Sequence, residues 1–507
     1  MGYSIAALCV LVLLQYTAAE PRPEFALGVT VQGSSRVGIA ANDAKTFIAG
    51  VKKSAVDYVV RSELPLLPSV LTVVKDVATQ FQTLATALVT SITTLASDSS
   101  GNVDTVFGAA IDAVDNTITF ADVTLPGLTN PLVQLIGKPL VEKFQDSLQH
   151  ISKALVPMKS RLKDLKTGAQ NAVIEAGSTT NIATDIIVKN LKRSVVAQLV
   201  YALQLLRATV PVLKYTVDST VEDIAIADQY MLDLSAKVDS TIGEKSSVAA
   251  SLDEIIASID KTITDTMKAI GTDLGKLSGS YATLINLGTA ASAGKLASTL
   301  AKFSANLVAL GSKDPTIITI LNSMKDAVLD VYDVTAPLFY IYDSYLVNAL
   351  ITTLVANGNY SQYCFYKYKD YLFAMLETIA IEAGECVDKE VIRLEYFRKT
   401  IELMLELLFF DFEDISGDLV TCNKIVDTAN LEECVASMAA IYTKLESAFG
   451  EMFALGYDVV SHEIKATNNR LKICMRLSQS SLGNTEIPML MAKIADCDEF
   501  GPLQQND

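Results

Sequence analysis

The positions of the cysteines restrict the fold of this chain more than any other feature. After Cys9 the next cysteine is Cys364, and six then fall within the last third of the 507 residues. Because Cys9 lies in an apolar N-terminal stretch that we expect to be removed, six cysteines remain. An even number on an exported chain predicts three disulfides rather than catalytic thiols.

Residues 1–19 have the pattern of a secretory signal peptide. An apolar stretch from Ile5 to Leu14 precedes the small residues Thr-Ala-Ala at 17–19, which mark a cleavage site. No Lys or Arg precedes the apolar stretch. A buried or membrane-spanning helix is the alternative, but the stretch is short for a bilayer. We therefore expect cleavage after residue 19 and a secreted, extracellular protein.

The spacing of the six cysteines predicts one antiparallel helical hairpin. In two antiparallel helices, facing residues have a nearly constant sum of position numbers, because one number rises as the other falls. Paired from the outside inwards, the cysteines give sums of 861, 860 and 856. Of the fifteen pairings open to six cysteines, this nested one fits a single turn near residue 428. The predicted bridges are Cys364–Cys497, Cys386–Cys474 and Cys422–Cys434.

Apolar residues on both arms fit the same register. A sum near 860 makes three apolar pairs, which are Ile401–Val459, Leu405–Leu455 and Leu408–Met452. Apolar residues also repeat every three or four positions, as in helices that bury one face. On the second arm this stripe is Met438, Ile441, Leu445, Phe449, Met452, Leu455 and Val459. We expect the first helix to end at "DISGD" (414–418). A hairpin of two helices has little core, so covalent bridges are a reasonable supplement.

Residues 20–335 have the pattern of a cysteine-free helical bundle. No proline occurs between Pro211 and Pro315, so this window permits long helices. Helical stripes of apolar residues are found in 72–96, 144–165, 192–214, 248–277 and 318–332. Turn-like sequences are found at 97–102, 125–131, 177–180 and 311–315. The best candidate for a short extended segment is 116–127, which is rich in Thr and Val.

The predicted fold class is therefore all-α, built from long amphipathic helices. An N-terminal helical bundle (20–335) is followed by a tyrosine-rich junction and the disulfide-bridged antiparallel hairpin (336–500). The last residues, 501–507, are expected to form a disordered tail. The sustained stripes are also typical of coiled coils.

Composition excludes several classes of function. The formal net charge of −17 argues against nucleic acid as a partner, because phosphates are bound by clustered Lys and Arg. The longest uncharged stretch, 344–366, contains Asn, Gly and Gln residues that are costly in lipid, so we do not predict a membrane span there. The chain lacks the motifs of a P-loop, a dinucleotide site and a nucleophilic serine. We therefore expect no cofactor.

No residue pattern indicates a catalytic or metal site. His150 lies on a helical stripe, and His462 lacks the second histidine of a zinc-protease helix. The acidic run at 409–418 resembles a calcium loop, but its carboxylates are misplaced and its twelfth position is Cys422. We expect no metal and no enzymatic activity.

Eight tyrosines lie around the predicted junction. They are Tyr340, Tyr342, Tyr345, Tyr360, Tyr363, Tyr366, Tyr368 and Tyr371. Aromatic residues with polar tips suit recognition surfaces, but we expect these to pack the two parts of the chain together. In the same region Asn359-Tyr360-Ser361 is an N-glycosylation sequon, and Asn359 is the predicted acceptor.

The C-terminal segment resembles the TsetseEP domain, a domain of secreted insect proteins. The resemblance rests on "CFYKYKDYL" at Cys364, on "VTCNKIVDTANLEECV" (420–435) and on the placement of Cys386, Cys474 and Cys497. It covers about 364–497, roughly a quarter of the chain. The family has more cysteines near the middle, and the glutamate–proline repeats of its founding member are absent. The resemblance implies an extracellular insect protein of gut, body fluid or reproductive tract, with defence as a candidate role.

These observations lead to two functional hypotheses. The first is a secreted, non-enzymatic interaction or structural protein that contacts an extracellular protein, a glycan or a lipid surface through its long helices. The alternative is a carrier of lipid or of another small hydrophobic ligand, because many amphipathic helices can enclose a pocket.

Overall fold

The computed structural model describes residues 24–311, 318–326 and 340–504. Within these ranges the chain is all-α, as predicted, with no β-strand and one isolated bridge between Glu24 and Leu27. The predicted signal peptide and the end of the 318–332 stripe lie outside the described residues.

The α-helices are numbered here in chain order. They are α1 (Ser34–Ile48), α2 (Lys53–Asp57), α3 (Leu66–Ser97), α4 (Val103–Thr119), α5 (Leu125–Ile136), α6 (Pro139–Ala176), α7 (Thr184–Asn190), α8 (Arg193–Thr283), α9 (Ala293–Gly311), α10 (Tyr345–Val355), α11 (Ser361–Asn423), α12 (Thr428–Ser481) and α13 (Ile487–Phe500). Residues 318–326 are also helical. Short π-helices occupy Phe120–Thr124 and Leu482–Glu486, and short 3-10 helices occupy Leu287–Thr289 and Gly501–Gln504.

The long helices follow the apolar stripes. The stripe predicted over 248–277 lies on α8, and its side chains Leu252, Ile259 and Ile270 are buried, which confirms the prediction. Helix α8 is 91 residues long, and Pro211 lies in its interior. Burial of apolar side chains on both parts of the helix, such as Leu203 and Ile259, stabilises it.

Two predictions for the region 116–131 are wrong. The expected extended segment and the expected turn are both helical, formed by the end of α4, the π-helix and α5. The hydroxyls of Thr117 and Thr129 each donate to the carbonyl four residues earlier, at 2.9 and 3.0 Å, so neither polar group opposes the helix. Pro126 lies at the second position of α5, directly after the π-helix, and Pro131 lies in the interior of α5.

The helices are grouped into two compact units. Unit 1 comprises Met1–Leu234, Tyr345–Asp370 and Leu490–Asp507, and unit 2 comprises Ser235–Ser344 and Tyr371–Met489. Each unit therefore combines N-terminal and C-terminal residues, whereas the division drawn from sequence separates 20–335 from 336–500.

The core of unit 1 is built from α1 to α7 together with buried side chains of α8 up to Leu234 and of α10. Helix α3 packs against α1, α4 and α5, and α6 packs against α4 and α7. Phe81, Phe107 and Phe144 are fully buried there. Gly168 permits the close approach of α6 to the end of α7, because a Cβ at this position would lie 2.5 Å from the carbonyl oxygen of Asn190.

The core of unit 2 is one cluster of side chains from α8, α9, α11 and α12. Helix α9 packs against α12. Phe303 of α9 and Phe449 of α12 make an edge-to-face contact, with ring centroids 5.1 Å apart. Such pairs add to the stability that apolar burial provides.

Candidate functional site

The bridged hairpin is formed by α11 and by the continuous helical stretch of α12, a π-turn and α13. Three pairs of cysteines lie at disulfide distance, and they are the pairs that the position sums select. The Cα–Cα distances are 5.8 Å for Cys364–Cys497, 6.0 Å for Cys386–Cys474 and 6.0 Å for Cys422–Cys434. The first pair belongs to unit 1 and the other two belong to unit 2.

The hairpin turn lies near residue 428, but the predicted helix end at 414–418 is wrong. Helix α11 continues to Asn423, because this stretch is held inside the core of unit 2. Ile415 is buried, and its carbonyl accepts a hydrogen bond of 3.2 Å from the hydroxyl of Tyr442. Asp427 then caps α12 by accepting from the backbone N–H three residues later, at 2.9 Å.

The stripe predicted for the second arm is only partly correct. Met438 and Phe449 are buried, but Ile441, Leu455 and Val459 are exposed. The residues that face inward are Leu431, Val435, Met438, Tyr442, Phe449, Phe453, Val460, Ile464 and Leu471. The predicted pair Ile401–Val459 joins a buried residue to an exposed one, so it does not form part of the core. The pairs with Leu455 and Met452 stay predictions, because the side chains of Leu405 and Leu408 lie outside the described set. Apolar residues occur on two faces of this arm. A spacing of three and four residues can therefore be traced along either face and does not identify the buried one.

A charged cluster joins the two arms next to a disulfide. Arg470 of α12 donates to both carboxylate oxygens of Glu390 of α11, at 2.8 to 3.0 Å, and to Glu463 at 2.7 Å. Thr467 accepts a further hydrogen bond from Arg470 at 3.0 Å, and Arg393 pairs with Glu390 from the other side. The side chain of Glu390 is only 5% exposed. The cluster lies four residues from Cys386 and four from Cys474.

Hydrogen bonds in this cluster stabilise the charged form of Arg470. The hydrogen bond to Glu390 and then that to Glu463 hold the pKa of the Arg470 guanidinium above its ordinary value, although partial burial opposes this. Two-pronged contact between a guanidinium and a carboxylate is directional. The cluster therefore fixes the axial position of one arm relative to the other, in addition to pairing charges.

Both arms also present large apolar side chains to solvent. On α11 these are Ile381, Ile392, Tyr396, Leu403 and Leu407, and on α12 they are Ile441, Met452, Leu455, Val459, Ile473 and Leu477. Each set recurs at intervals that keep it on one side of its helix. Exposed apolar residues are ordinary when scattered, but aligned sets are typical of interaction surfaces.

The tyrosines near 340–371 do not behave as predicted. Five of the eight are exposed, which makes the packing interpretation wrong for Tyr340, Tyr345, Tyr363, Tyr366 and Tyr371. Tyr368 is buried. Tyr363 and Tyr366 lie three residues apart at the start of α11, so they are neighbours on its surface.

Asn359 is exposed and lies in the turn between α10 and α11. Ser361 of its sequon begins α11, is buried, and accepts a hydrogen bond of 2.6 Å from the backbone N–H of Gly358. An exposed acceptor in a turn is the arrangement that N-glycosylation requires.

The two histidines belong to different units, and both are exposed. In the described part of the chain, no group of three or more His, Cys, Asp or Glu is placed to hold a metal ion. The acidic run at 409–418 is helical and belongs to α11.

Unit 1 contains a buried polar network that sequence reasoning missed. Asp223 of α8 accepts a hydrogen bond of 2.8 Å from Gln362. Lys143 donates to the side-chain oxygen of Asn357 at 2.8 Å, and the amide of Asn357 donates to Ser219 and Thr220 at 2.9 Å. Burial raises the pKa of Asp223 to about 6, against the opposing effects of Gln362 and Lys143.

A second buried aspartate on α8 has the opposite electrostatic balance. Asp228 is fully buried and accepts hydrogen bonds from the backbone N–H groups of Arg61 and Ser62, at 2.7 to 3.1 Å, and from the hydroxyl of Tyr58 at 2.8 Å. Burial alone would raise the pKa of this carboxyl, but the hydrogen bonds outweigh burial and lower it. Asp228 thus anchors the loop before α3.

Comparison with known proteins adds no family assignment. No protein-family model matches the chain, and no curated protein matches it. The class that the fold defines is therefore an all-α protein with cysteine pairs compatible with an extracellular location.

Proposed function

We propose that the chain is a secreted, non-enzymatic interaction protein of insect extracellular fluid, in gut, haemolymph or reproductive tract. The observation that supports this most strongly is the exposed apolar stripe on each arm of the bridged hairpin. The insect source and a role in defence rest on the resemblance of 364–497 to the TsetseEP domain.

The physical argument concerns what the stripes can do when covered. Burying one large aliphatic side chain contributes roughly 1.5–3 kcal/mol, so a few residues of one stripe provide the apolar part of a specific contact. The disulfides and the cluster around Glu390 hold the arms in one register before binding. Pre-organisation of this kind lowers the entropy lost on association.

The proposal that the exposed stripe of α11 binds an extracellular partner can be tested by measuring partner binding. Leu403→Lys with Leu407→Lys places two charges in the middle of the exposed stripe and is expected to weaken partner binding at least about tenfold. The measurement is crosslinking of the purified protein in its native fluid, followed by mass spectrometry and titration of the identified partner.

The matched control for that experiment is Val426→Lys. Val426 is 89% exposed in the hairpin turn, so this variant adds one positive charge outside the stripe, where the stripe variant adds two within it. Equal binding by the stripe variant and the control would contradict the proposed contact surface.

The carrier hypothesis draws on a different helix. Residues Arg193–Ser240 of α8 include an 18-residue window with mean hydropathy 1.5, of which 33% is buried, so by length and composition this helix could also contact lipid. In contrast, a groove of about 600 Å³ between α4 and α6 is lined by amide and carboxyl groups as well as apolar ones, which does not suit an acyl chain. Stoichiometric lipid extracted from native protein would favour the carrier function, and lipid-free protein with a specific partner would favour interaction.

Peptide mapping tests the secreted and glycosylated form. Protein recovered from its native fluid is expected to begin at Glu20, to carry a glycan on Asn359 and to yield three disulfide-linked peptide pairs under non-reducing conditions. Asn359→Gln is expected to remove the mass of one glycan. A peptide joining Cys386 to Cys422 would contradict the nested bridges, and an intact residue 1–19 segment would contradict secretion by cleavage.

A further inference from the structure

Helix α12 has a heptad pattern on its exposed side. Met452, Val459, Ala466 and Ile473 recur every seven residues, and Leu455 lies between the first two. Of these, Leu455 is 63% exposed and Ile473 is 59% exposed. A coiled-coil seam has two apolar positions per heptad. Here the first position is apolar throughout, and the second is Leu455 followed by His462 and Asn469, so the charges beside the seam must define the pairing.

Four charged residues flank this seam at the same interval. In chain order they are Glu451, Asp458, Lys465 and Lys472, and all are exposed. None makes an ion pair in the described part of the chain, in contrast to the internally paired Glu463 and Arg470 on the other flank. Charges at these positions set partner choice and orientation in coiled coils.

The row of four charges is complementary to the same row of a second copy that runs in the opposite direction. Two acidic residues are followed by two basic residues at equal spacing, so an antiparallel copy places each acid opposite a base. Glu451 then faces Lys472, and Asp458 faces Lys465, on both sides of a two-fold axis. Self-complementarity under a two-fold rotation is the requirement for an isologous dimer contact.

We propose that the occupant of the α12 stripe is α12 of a second copy of this chain, in antiparallel orientation. In that register Leu455 of one copy packs against Ala466 of the other, and Ala448 packs against Ile473. Val459 lies opposite His462 at the centre. The inference deepens the proposed interaction function and rests on it. It names a partner for the α12 stripe only, so the α11 stripe stays available to another partner.

Charge reversal in pairs provides the test. Glu451→Lys with Asp458→Lys makes all four positions basic, and Lys465→Glu with Lys472→Glu makes all four acidic. Sedimentation equilibrium of the full-length, disulfide-bonded protein is expected to show a wild-type dimer at micromolar concentration. Each double variant is expected to self-associate at least about tenfold more weakly, because like charges then face each other.

Two further samples separate pairing from general damage to the helix. An equimolar mixture of the two double variants is expected to form a heterodimer. The variant that carries all four reversals has the wild-type composition of charges and is expected to dimerise like wild type. Recovery in both samples would establish antiparallel pairing through these residues.

Several outcomes would overturn the inference. A monomeric wild type at tens of micromolar would exclude a second copy as the occupant. Dimers that are unaffected by charge reversal, or a fourfold variant that stays monomeric, would exclude this register. Loss of partner capture by the α11 variant is a separate measurement, so the proposed function can survive the failure of self-pairing.

Discussion

Arg470→Ala is expected to lower the free energy of unfolding of unit 2 by about 3 kcal/mol. The substitution leaves the carboxylate of Glu390 buried, with Arg393 as its remaining partner. Removal of one member of a buried ion pair typically costs about 3–5 kcal/mol, and the lower end applies because Arg393 stays in place.

Hydrogen exchange of α11 and α12 amides measures this effect locally. A local probe is needed because a chain with two units does not have to unfold in one step. Lys389→Ala is the control, since its exposed pair with Glu385 is worth only a few tenths of a kcal/mol. Equal exchange in the two variants would mean that the cluster does not hold the arms together.

A double replacement separates charge pairing from packing. Glu390→Leu with Arg470→Met removes both charges from the interface, and it is expected to be less harmful than Arg470→Ala alone. Apolar side chains of similar volume often substitute for a buried ion pair without loss of stability. A double variant as unstable as the single one would show that the directional hydrogen bonds contribute more than the removal of charge.

The coarse register of the hairpin could be predicted because cysteine positions carry a geometric constraint. Bridged residues must lie at the same height on both arms, so their position numbers alone give the antiparallel arrangement and the turn. The same rule points to Glu390 and Arg470, whose numbers add up to 860, as do those of Cys386 and Cys474. A search for oppositely charged residues whose position numbers add up to 860 would have found the cluster.

The rotation of each arm could not be predicted in the same way. Val459 and Val460 are adjacent and equally apolar, yet Val460 is buried and Val459 is exposed. One position corresponds to about 100° on a helix, and only tertiary packing decides between the two. The helical course of 116–131 was missed for a related reason, because burial of Thr117 and Thr129 overrides the preference of Thr for extended structure.

Asp223 and Asp228 were also beyond sequence reasoning, although both lie on α8. An isolated aspartate in a long helix is usually solvated, and nothing in the spacing distinguishes these two from exposed neighbours such as Asp233. Their burial depends on contacts with residues more than 100 positions away, Gln362 and the loop at 58–62.

These two aspartates are expected to give opposite pH dependences when each is replaced by Asn. Asp228 has a lowered pKa in the folded protein, so its contribution to stability is present above the unfolded pKa of about 3.8 and is lost as the pH falls through the folded pKa. Asp228→Asn is therefore expected to destabilise unit 1 by roughly 3 kcal/mol at pH 7, since an amide replaces an acceptor of several hydrogen bonds. The difference from wild type should shrink on acidification.

Asp223 is the matched opposite case. Its folded pKa of about 6 exceeds the unfolded value of 3.8, so its favourable contribution is full below pH 3.8 and is lost as the pH rises to about 6. Asp223→Asn removes the burial of a charge and keeps an acceptor for Gln362, so it is expected to stabilise unit 1 by roughly 1–3 kcal/mol at pH 8, with little effect at pH 4. Hydrogen exchange of α8 and α6 at pH 8 and pH 4 measures the Asp223 variant, and the same measurement at pH 8 and below pH 3.8 measures the Asp228 variant. A shared sign of the two pH slopes would mean that hydrogen bonding at Asp228 does not outweigh its burial.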